Sequence, residues 1–442
     1  MPNWSRRQTL GVLGAGLLPR VAAAAEDPWA ALPNILKRIQ PPSFPNRDFN
    51  LARYGANRDG STDSSNAFRN AIDAASQAGG GRVVVPPGVF RVGALHLKSN
   101  VNLHLLEGAT VRFSQDPKDY PIVLTRFEGT ECMNYSPFIY AFEQRNIAIT
   151  GAGTLDGQAD RDHWWNWARG AAGAPNQRKA RTALMEMGEK GVPVAERVFG
   201  DGGLLRPMFV QPYRCTNVLI EGVTITNSPM YEIHPVLCRN VTVRNVKISS
   251  HGPNNDGCDP ESSADVLIEG CTFDTGDDCI AIKSGRNADG RRLHTPSENI
   301  IVQGCTMKDG HGGVTMGSEC SGGIRNVYAQ ECKMDSPHLD RVLRFKNNAM
   351  RGGVIENVYM RSIEAGQVAG PAIEVDFRYE EGDKGPFTPV VRHVEVRNVT
   401  VKKCLRALSL RGLPNAPIQD FRVEDCKFEE TAEPNIVENV TQ

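Results

Sequence analysis

Beyond residue 25 the 442-residue sequence lacks any run of about 20 apolar residues, the length that a membrane-spanning helix requires. It also lacks an excess of charge of one sign, because 50 Lys and Arg face 51 Asp and Glu. This balance argues against a general electrostatic attraction to nucleic acid or to anionic membranes. We therefore predict no membrane span and no nucleic-acid partner, and local cations must bind any acidic substrate.

The apolar residues of the N-terminus form a short run that follows a basic pair, Arg6 and Arg7. The run extends to Leu18 and is followed by an alanine-rich stretch. This order predicts a signal peptide over residues 1–25 and an exported protein, either periplasmic or extracellular. The basic pair resembles that of a bacterial twin-arginine signal, but Thr9 stands where that motif has Phe, so general secretory export is the alternative.

A short signature recurs along the chain from residue 146: Asn or Asp, then alternating apolar and polar residues, then a turn. TNVLIEGVTI, RNVTVRNVKI and ADVLIEGCTF are examples. The first residues of the later signatures are Asn217, Asn240, Asp265, Asn299, Asn326, Asn357, His393 and Asp420. Their intervals, roughly 23 to 36 residues, are typical of stacked solenoid units. The alternation with period 2 is typical of strands.

Units this short cannot each close a hydrophobic core, so they must stack to bury their apolar residues. We predict that residues 26–442 form one all-β domain, a right-handed single-stranded parallel β-helix. A β-sandwich is the alternative, but it requires hairpins with short NG or DG turns between neighbouring strands. The sequence repeats whole coils instead.

Two segments depart from the repeat. The first predicts an N-terminal helix that caps the open end of the solenoid, since one helical face contains Ala67, Phe68, Ala71, Ile72 and Ala75. The second, residues 158–207, lacks the periodicity and contains Trp164, Trp165 and Trp167. We expect it to be a long excursion from one coil. Its tryptophans fit either a sugar-stacking wall or a hydrophobic plug.

The eleven cysteines raise the question of disulfides in an exported protein, but their number is odd and several follow the repeat. Cys271, Cys305, Cys332 and Cys426 each lie six residues after the start of a signature. Other signatures have Val or Ile at this position. A position shared by Cys, Val and Ile predicts an interior ladder of free thiols rather than disulfides or a metal site.

Three aspartates lie in glycine-flanked turns of the repeat: Asp256, Asp277 and Asp278. Alone, each is more readily interpreted as a turn residue, and a lone histidine as a hydrogen-bonded loop residue. However, Asp277 and His311 each lie twelve residues after the start of a signature. Since coils stack about 4.8 Å apart, residues of equal phase should line up on one face. The cluster therefore predicts a site.

Four motifs in this region resemble those of the polygalacturonase family, the pectin-degrading glycoside hydrolases of family 28. The family's motifs are NTD, G/QDD, GHG and RIK on successive coils. This chain has NND at 254–256, GDD at 276–278, GHG at 310–312 and RFK at 344–346. Asn255 replaces Thr and Phe345 replaces Ile, and neither change removes a reactive group. The resemblance extends over essentially the whole chain after the signal peptide.

The resemblance implies a hydrolase without metal or cofactor that cleaves α-1,4-galacturonosyl linkages with inversion. Its partners would be pectic polysaccharide or galacturonate oligosaccharides. Such chemistry needs one protonated carboxyl and one carboxylate, which inverting enzymes hold about 6.5–9.5 Å apart. Repulsion among three carboxylates raises at least one pKa and so keeps a proton available. Insertions in this family often close one end of the groove, which favours release of product from the chain end.

The resemblance also implies residue roles. Asp277 would be the general acid, Asp256 and Asp278 would activate water, and His311 would tune the acid. The galacturonate carboxylate would be bound by two cations of the RFK motif, Arg344 and Lys346.

Three neighbours of the motifs are further candidates for substrate contact. Lys283 follows the GDD motif, and Tyr231 and His234 lie in a turn one coil before Asp256. A packed turn is an equally good interpretation of Tyr231 and His234.

Three alternatives to a polygalacturonase remain. A pectate lyase on the same fold would use calcium and a basic residue, which the GDD, GHG and RFK motifs disfavour. Rhamnogalacturonan or xylogalacturonan is an alternative substrate for a hydrolase. A β-helical adhesin or carbohydrate-binding protein would need no clustered carboxylates.

Overall fold

The computed structural model describes residues 27–170 and 173–442, so the predicted signal peptide lies outside the described residues. The described chain winds into coils that build three parallel sheets around one continuous apolar interior. Consecutive coils pair in register: Val218 lies opposite Val241, which lies opposite Val266, which lies opposite Ile300. The predicted parallel β-helix is confirmed.

Each sheet takes one strand from each coil. The first sheet contains Asp48–Asn50, Gly81–Val85, Val101–Leu105, Arg145–Gly151, Thr216–Glu221, Arg239–Arg244, Ala264–Glu269, Ser297–Gln303, Ile324–Gln330, Val354–Gln367, Val390–Cys404, Ile418–Glu424 and Val440–Thr441. The second contains Asp59–Asp63, Gly88–Val92, Ala109–Phe113, Thr154–Asp156, Thr224–Thr226, Lys247–Ser250, Thr272–Thr275, Thr306–Met307, Lys333–Met334 and Lys427–Thr431, and shares the two longest strands with the first. The third contains Leu95–His96, Ile139–Phe142, Val210–Tyr213, Ile280–Ile282, Val314–Met316, Leu343–Lys346, Pro371–Asp376, Arg406–Arg411 and Ile436–Glu438.

The third sheet is continuous through two coils that contribute only isolated bridges. Ile233 connects Val210 to Cys258, and Cys258 connects to Ile280. This continuity matters because the predicted acidic turns lie directly before Cys258 and Ile280.

The first residues of the signatures have a common conformation that explains why they recur. All eight listed above have φ between 45° and 57°, a left-handed region that Asn and Asp tolerate better than other side chains. Their side chains also bond from coil to coil: Asn240 donates to Asn217 over 2.7 Å, and Asn326 donates to Asn299 over 3.2 Å. A polar ladder therefore marks the start of the first-sheet strands.

The cysteines are free thiols, as predicted, and ten of the eleven are buried. Cys271, Cys305 and Cys332 are nearly inaccessible and belong to the core, while Cys426 in the last coil is partly exposed. Cysteine therefore acts as a small apolar side chain in the interior ladder.

The helices lie outside the coils. The α-helices are Leu32–Arg38, Ser65–Gln77, Trp165–Arg169, Arg178–Glu189 and Asn287–Leu293, and the 3-10 helices are Pro28–Ala31, Leu51–Tyr54, Pro117–Asp119 and Val194–Glu196. None of the described helices combines the length and hydropathy needed to cross a membrane. Ser65–Gln77 is the predicted cap, and it buries the five apolar residues that the sequence indicated.

An antiparallel hairpin, Ile122–Phe127 and Thr130–Tyr135, lies on the outer face of the third sheet. The predicted excursion then packs on the hairpin, since its Leu184 and Leu205 join a cluster with Phe127. Trp164 is 1 % exposed among other aromatic rings, which supports the plug rather than the sugar-stacking wall for this residue. The sequence did not predict this hairpin.

Candidate active site

Strand register in the third sheet brings the four motifs together. Ile280 lies opposite Val314, which lies opposite Leu343, so the turns that precede these strands are stacked. Asp277 and His311 occupy the same phase, as predicted: the His311 amide donates to the Asp277 carbonyl over 3.0 Å. The cations of the RFK motif lie on the next strand.

Asp278 is a fully buried carboxylate with three donors around it. Lys346 Nζ lies 2.7 Å from its Oδ2, while Thr315 Oγ1 and Arg344 lie 3.0 and 3.5 Å from its Oδ1. Burial opposes ionisation, but the charges of Lys346 and Arg344 outweigh it and hold the pKa of Asp278 well below its usual range. Asp278 is therefore ionised at neutral and mildly acidic pH.

Glycine at position 312 of the GHG motif leaves room for this arrangement. A Cβ there would lie 2.3 Å from Thr315 Oγ1 and 2.9 Å from Asp278 Oδ1. Any other residue would displace the donor or the carboxylate.

Asp256 has the opposite charge state. Its side chain is 3 % exposed, its Oδ1 has no hydrogen-bond partner among the described residues, and Lys283 Nζ lies 3.5 Å from its Oδ2. Burial, reinforced by the charge of Asp277, raises the pKa of Asp256 to about 8. In the unliganded site Asp256 therefore retains its proton at neutral pH.

Asp277 is the most accessible of the three aspartates, with a side chain that is 19 % exposed. Its Oδ1 lies 3.0 Å from Nδ1 of His311, which is half-exposed. This hydrogen bond raises the pKa of His311 against the opposing effect of burial. At mildly acidic pH the solvent-facing pair of Asp277 and His311 therefore shares a proton.

Asn255 holds the turn that carries Asp256. Its amide nitrogen donates to the carbonyls of Ser228 and Met230, and its oxygen accepts from Ser250 Oγ and from the Gly252 amide. A threonine, which has a single hydroxyl, could not make all four bonds. Asn255, which replaces the threonine of the family motif, therefore has a structural role: it holds this turn in place.

The predicted separation of 6.5–9.5 Å between acid and base is wrong. One oxygen from each of Asp256, Asp277 and Asp278 lies within 4.8 Å of the others. The reason is geometric, since the acid Asp277 directly precedes Asp278 in sequence, and Asp256 occupies the place equivalent to Asp278 in the adjacent coil, which stacks about 4.8 Å away. Carboxylate spacing therefore does not identify the stereochemical course.

Lys283, Tyr231 and His234 lie beneath the site rather than at its surface. Lys283 Nζ is within 3.6 Å of carboxylates of Glu319, Asp256 and Asp259, and 4.9 Å from the Tyr231 ring. His234 is fully buried, and its nitrogens contact Gln211 and Glu261. This arrangement does not support the sugar contacts predicted for them. We infer that Lys283 compensates the acidic cluster.

Two residues that shape the site, Glu374 and Tyr379, were not predicted from the sequence. Glu374 Oε2 lies 3.4 Å from Arg344 Nε and 2.6 Å from Arg341 Nε, so it orients Arg344 towards Asp278. The Tyr379 ring lies 5.7 Å from the Arg344 guanidinium and 5.6 Å from Lys346 Nζ. Glu374 could have been found from its register opposite Arg344, but Tyr379 lies in a loop without periodicity.

Two groups of described residues offer the donors that a divalent cation takes. One is the aspartate cluster itself, and the other is His251, Asp274 and Asp309 on an outer edge. In the first group, Lys346, Arg344 and Lys283 already supply positive charge to the carboxylates. A chelator tests whether either group matters for turnover.

The charge state of Asp256 predicts a stability effect. The folded protein keeps this proton up to about pH 8, whereas an unfolded aspartate releases it near pH 4, so Asp256 costs stability increasingly as pH rises between these values. Asp256→Asn should therefore stabilise the fold at pH 7 by on the order of 2 to 4 kcal/mol, and hardly at pH 4. Calorimetry across this range measures the difference, and a gain that does not grow with pH would contradict the assignment.

Comparison with known proteins identifies the family of this chain. The profile described as Glycosyl hydrolases family 28 matches residues 200–441, more than half of the chain. The chain belongs to this family. A second profile, described as Rhamnogalacturonase A/epimerase, pectate lyase-like, matches residues 49–106.

The similar proteins include solved structures and curated sequences. An exopolygalacturonase from Thermotoga maritima is 46% identical with a TM-score of 0.88, and the match covers 92% of this chain and 96% of that one. The exo-poly-alpha-D-galacturonosidase of Dickeya chrysanthemi is 29% identical over 80% of this chain and 62% of its own length. A probable polygalacturonase of Vitis vinifera is 26% identical over 83% of this chain and 71% of its own.

Proposed function

We propose that this family 28 member hydrolyses the α-1,4-galacturonosyl linkages of polygalacturonate from the chain end. The observation that carries the proposal is the convergence of three aspartates, His311 and two cations, Lys346 and Arg344, in one cluster. The cations suit a substrate that has a carboxylate on every sugar. The 46% identity to an exopolygalacturonase supports the same activity. Export by the N-terminal segment is part of the proposal, since pectic polymers lie outside the cell.

Asp277 is the general acid in this proposal. It is the most exposed carboxyl of the three, so it can reach the glycosidic oxygen. Proton transfer to that oxygen breaks the bond to the leaving sugar, and the proton can be replaced through His311, whose Nδ1 is 3.0 Å away. The raised pKa of His311 keeps this second proton available at mildly acidic pH.

Asp278 is the base that takes a proton from the attacking water. Lys346 and Arg344 keep it ionised, as a general base requires. The raised pKa of Asp256 favours its protonated form, so we assign it the orientation of the water by a hydrogen bond rather than a share in the role of base. This division of roles differs from the one that the family resemblance implies, in which both residues activate water.

We infer that the hairpin borders the groove beside the aspartates and so supports action at the chain end, because it packs against the coils that carry the site. Thr125 Oγ1 donates to Gln211 over 2.7 Å, and the buried Arg126 pairs with Glu261 at 3.0 Å. The turn of the hairpin is also close-packed, since a Cβ on Gly129 would lie 2.6 Å from the backbone nitrogen of Arg286. The excursion had been expected to close the groove, but here it reinforces the hairpin.

A timed product analysis on polygalacturonate with a chelator present tests the proposal. Saturated mono- or digalacturonate should appear from the first minutes, and the chelator should leave the rate unchanged. A ladder of oligomers would reject action at the chain end, and unsaturated products would indicate a lyase. Activity only on rhamnogalacturonan or xylogalacturonan would change the substrate. No turnover on any of these would favour a carbohydrate-binding protein.

Inversion at the anomeric carbon needs its own measurement because the carboxylate spacing does not decide it. Proton nuclear magnetic resonance of the fresh reaction should show the β-anomer of the new reducing end before mutarotation. The initial appearance of the α-anomer would mean a covalent intermediate and retention.

A further inference from the structure

Arg206 connects the excursion to the turn that carries Asp256. Its Nε donates to Gln177 Oε1 over 3.2 Å, and its two terminal nitrogens donate to the carbonyl of Pro229, the carbonyl of Pro253 and Oδ1 of Asn254, over 2.9, 2.5 and 2.7 Å. Pro253 and Asn254 precede Asp256 by three and two residues. One guanidinium thus spans three separate segments.

The charge of Arg206 has an unusual environment. The side chain is fully buried, yet it forms no ion pair with any carboxylate of residues 27–170 and 173–442, since all four of its partners are neutral oxygens. Burial lowers the pKa of Arg206 to about 10. A buried cation without an ionic partner is costly to fold, so a purely structural role would be met more cheaply by a neutral side chain.

Asn255 holds the other side of the same turn, since its side chain bonds to Ser228, Met230 and Ser250. Asn254 itself has φ 56°, a left-handed conformation. Arg206 and Asn255 therefore grip the turn from two directions, and together they set where Asp256 lies relative to Asp277 and Asp278.

We propose that Arg206 is a positioning residue of the catalytic site, which holds the turn 253–256 so that Asp256 can orient the attacking water. The inference rests on the proposed hydrolase function for its kinetic part. Arg206 does not touch the substrate in this proposal, so its loss should affect turnover rather than binding.

The test compares Arg206→Gln and Arg206→Lys with the wild type on polygalacturonate. Arg206→Gln should lower kcat by about 10²-fold, the effect expected of a misplacement near 1 Å, while KM changes by less than about threefold. Arg206→Lys should retain more of kcat, because its ammonium keeps the charge and reaches some of the same oxygens. Arg197→Lys is the matched control, a buried arginine of the same excursion that pairs with Asp289 at 2.9 Å.

Hydrogen–deuterium exchange provides a readout that needs no substrate. The backbone amides of residues 254–257 should exchange at least about tenfold faster in Arg206→Gln than in the wild type, whereas their exchange in Arg197→Lys should be unchanged. If Arg206→Gln does not fold, Asn254→Gly breaks the same link from the other side and suits the positive φ. Unchanged exchange, a rise in KM with kcat retained, or an equal loss in the control would each overturn the proposal. An inactive wild type would instead reject the hydrolase function and leave the exchange test decisive.

Discussion

Asp277→Asn is expected to lower kcat on polygalacturonate by about 10³-fold, because an amide cannot donate the proton that the leaving oxygen requires. The substitution leaves no charged group unpaired in the interior, since the Asp277 side chain bonds, among the described residues, only to the half-exposed His311 and to the backbone amide of Asp278. A nitrophenyl galacturonoside should lose less than about tenfold, because its leaving group departs without protonation. Steady-state kinetics on both substrates measure the contrast.

Two further variants serve as comparisons for the kinetics of Asp277→Asn. Asp278→Asn should lose activity equally on both substrates, because the base is needed whatever the leaving group. Asp274→Asn, on the neighbouring second-sheet strand and outside the cluster, should match the wild type. If Asp256→Asn rather than Asp277→Asn shows the leaving-group dependence, then the proton retained by Asp256 is the one transferred, and the acid has been misassigned.

The residues that sequence placed correctly are those whose neighbours are set by coil register. Asp277 and His311 share a phase in the repeat, and in a stacked solenoid equal phase means adjacency. The contact of Lys346 with Asp278 did not follow from equal phase, because Lys346 lies at a later phase and two coils beyond Asp278. Periodicity also separated buried thiols from disulfides, because Cys271 and its equivalents alternate with Val and Ile.

Features that depend on contacts outside the repeat were missed. The hairpin Ile122–Phe127 and Thr130–Tyr135 precedes the clear signatures, and it meets the third sheet through residues more than 80 positions away, such as Thr125 with Gln211. The burial of Lys283 and the protonation of Asp256 follow from what surrounds them in three dimensions. The order of motifs specifies neither property.

Lys346→Met should be the most damaging single change outside the aspartates. Lys346 and Asp278 are 7% and 0% exposed and 2.7 Å apart. Breaking such a pair costs about 3–5 kcal/mol, because Asp278 stays buried with only Arg344 at 3.5 Å and the Thr315 hydroxyl to compensate its charge. The ionised Asp278 contributes fully to folding stability at pH values above the pKa of an unfolded aspartate. Without Lys346 the pKa of Asp278 rises. The pH at which acid destabilises the fold and the acidic limb of the kcat/KM profile should therefore both shift to higher values than in the wild type.

A double variant separates this charge effect from the loss of packing. Lys346→Met with Asp278→Asn removes both charges of this buried pair, so thermal unfolding should show most of the lost stability regained, with no recovery of turnover. Lys333→Met, an exposed lysine on the second sheet, should change neither quantity. If the double variant is no more stable than Lys346→Met alone, the aliphatic stem of Lys346, and not its charge, holds this part of the groove together.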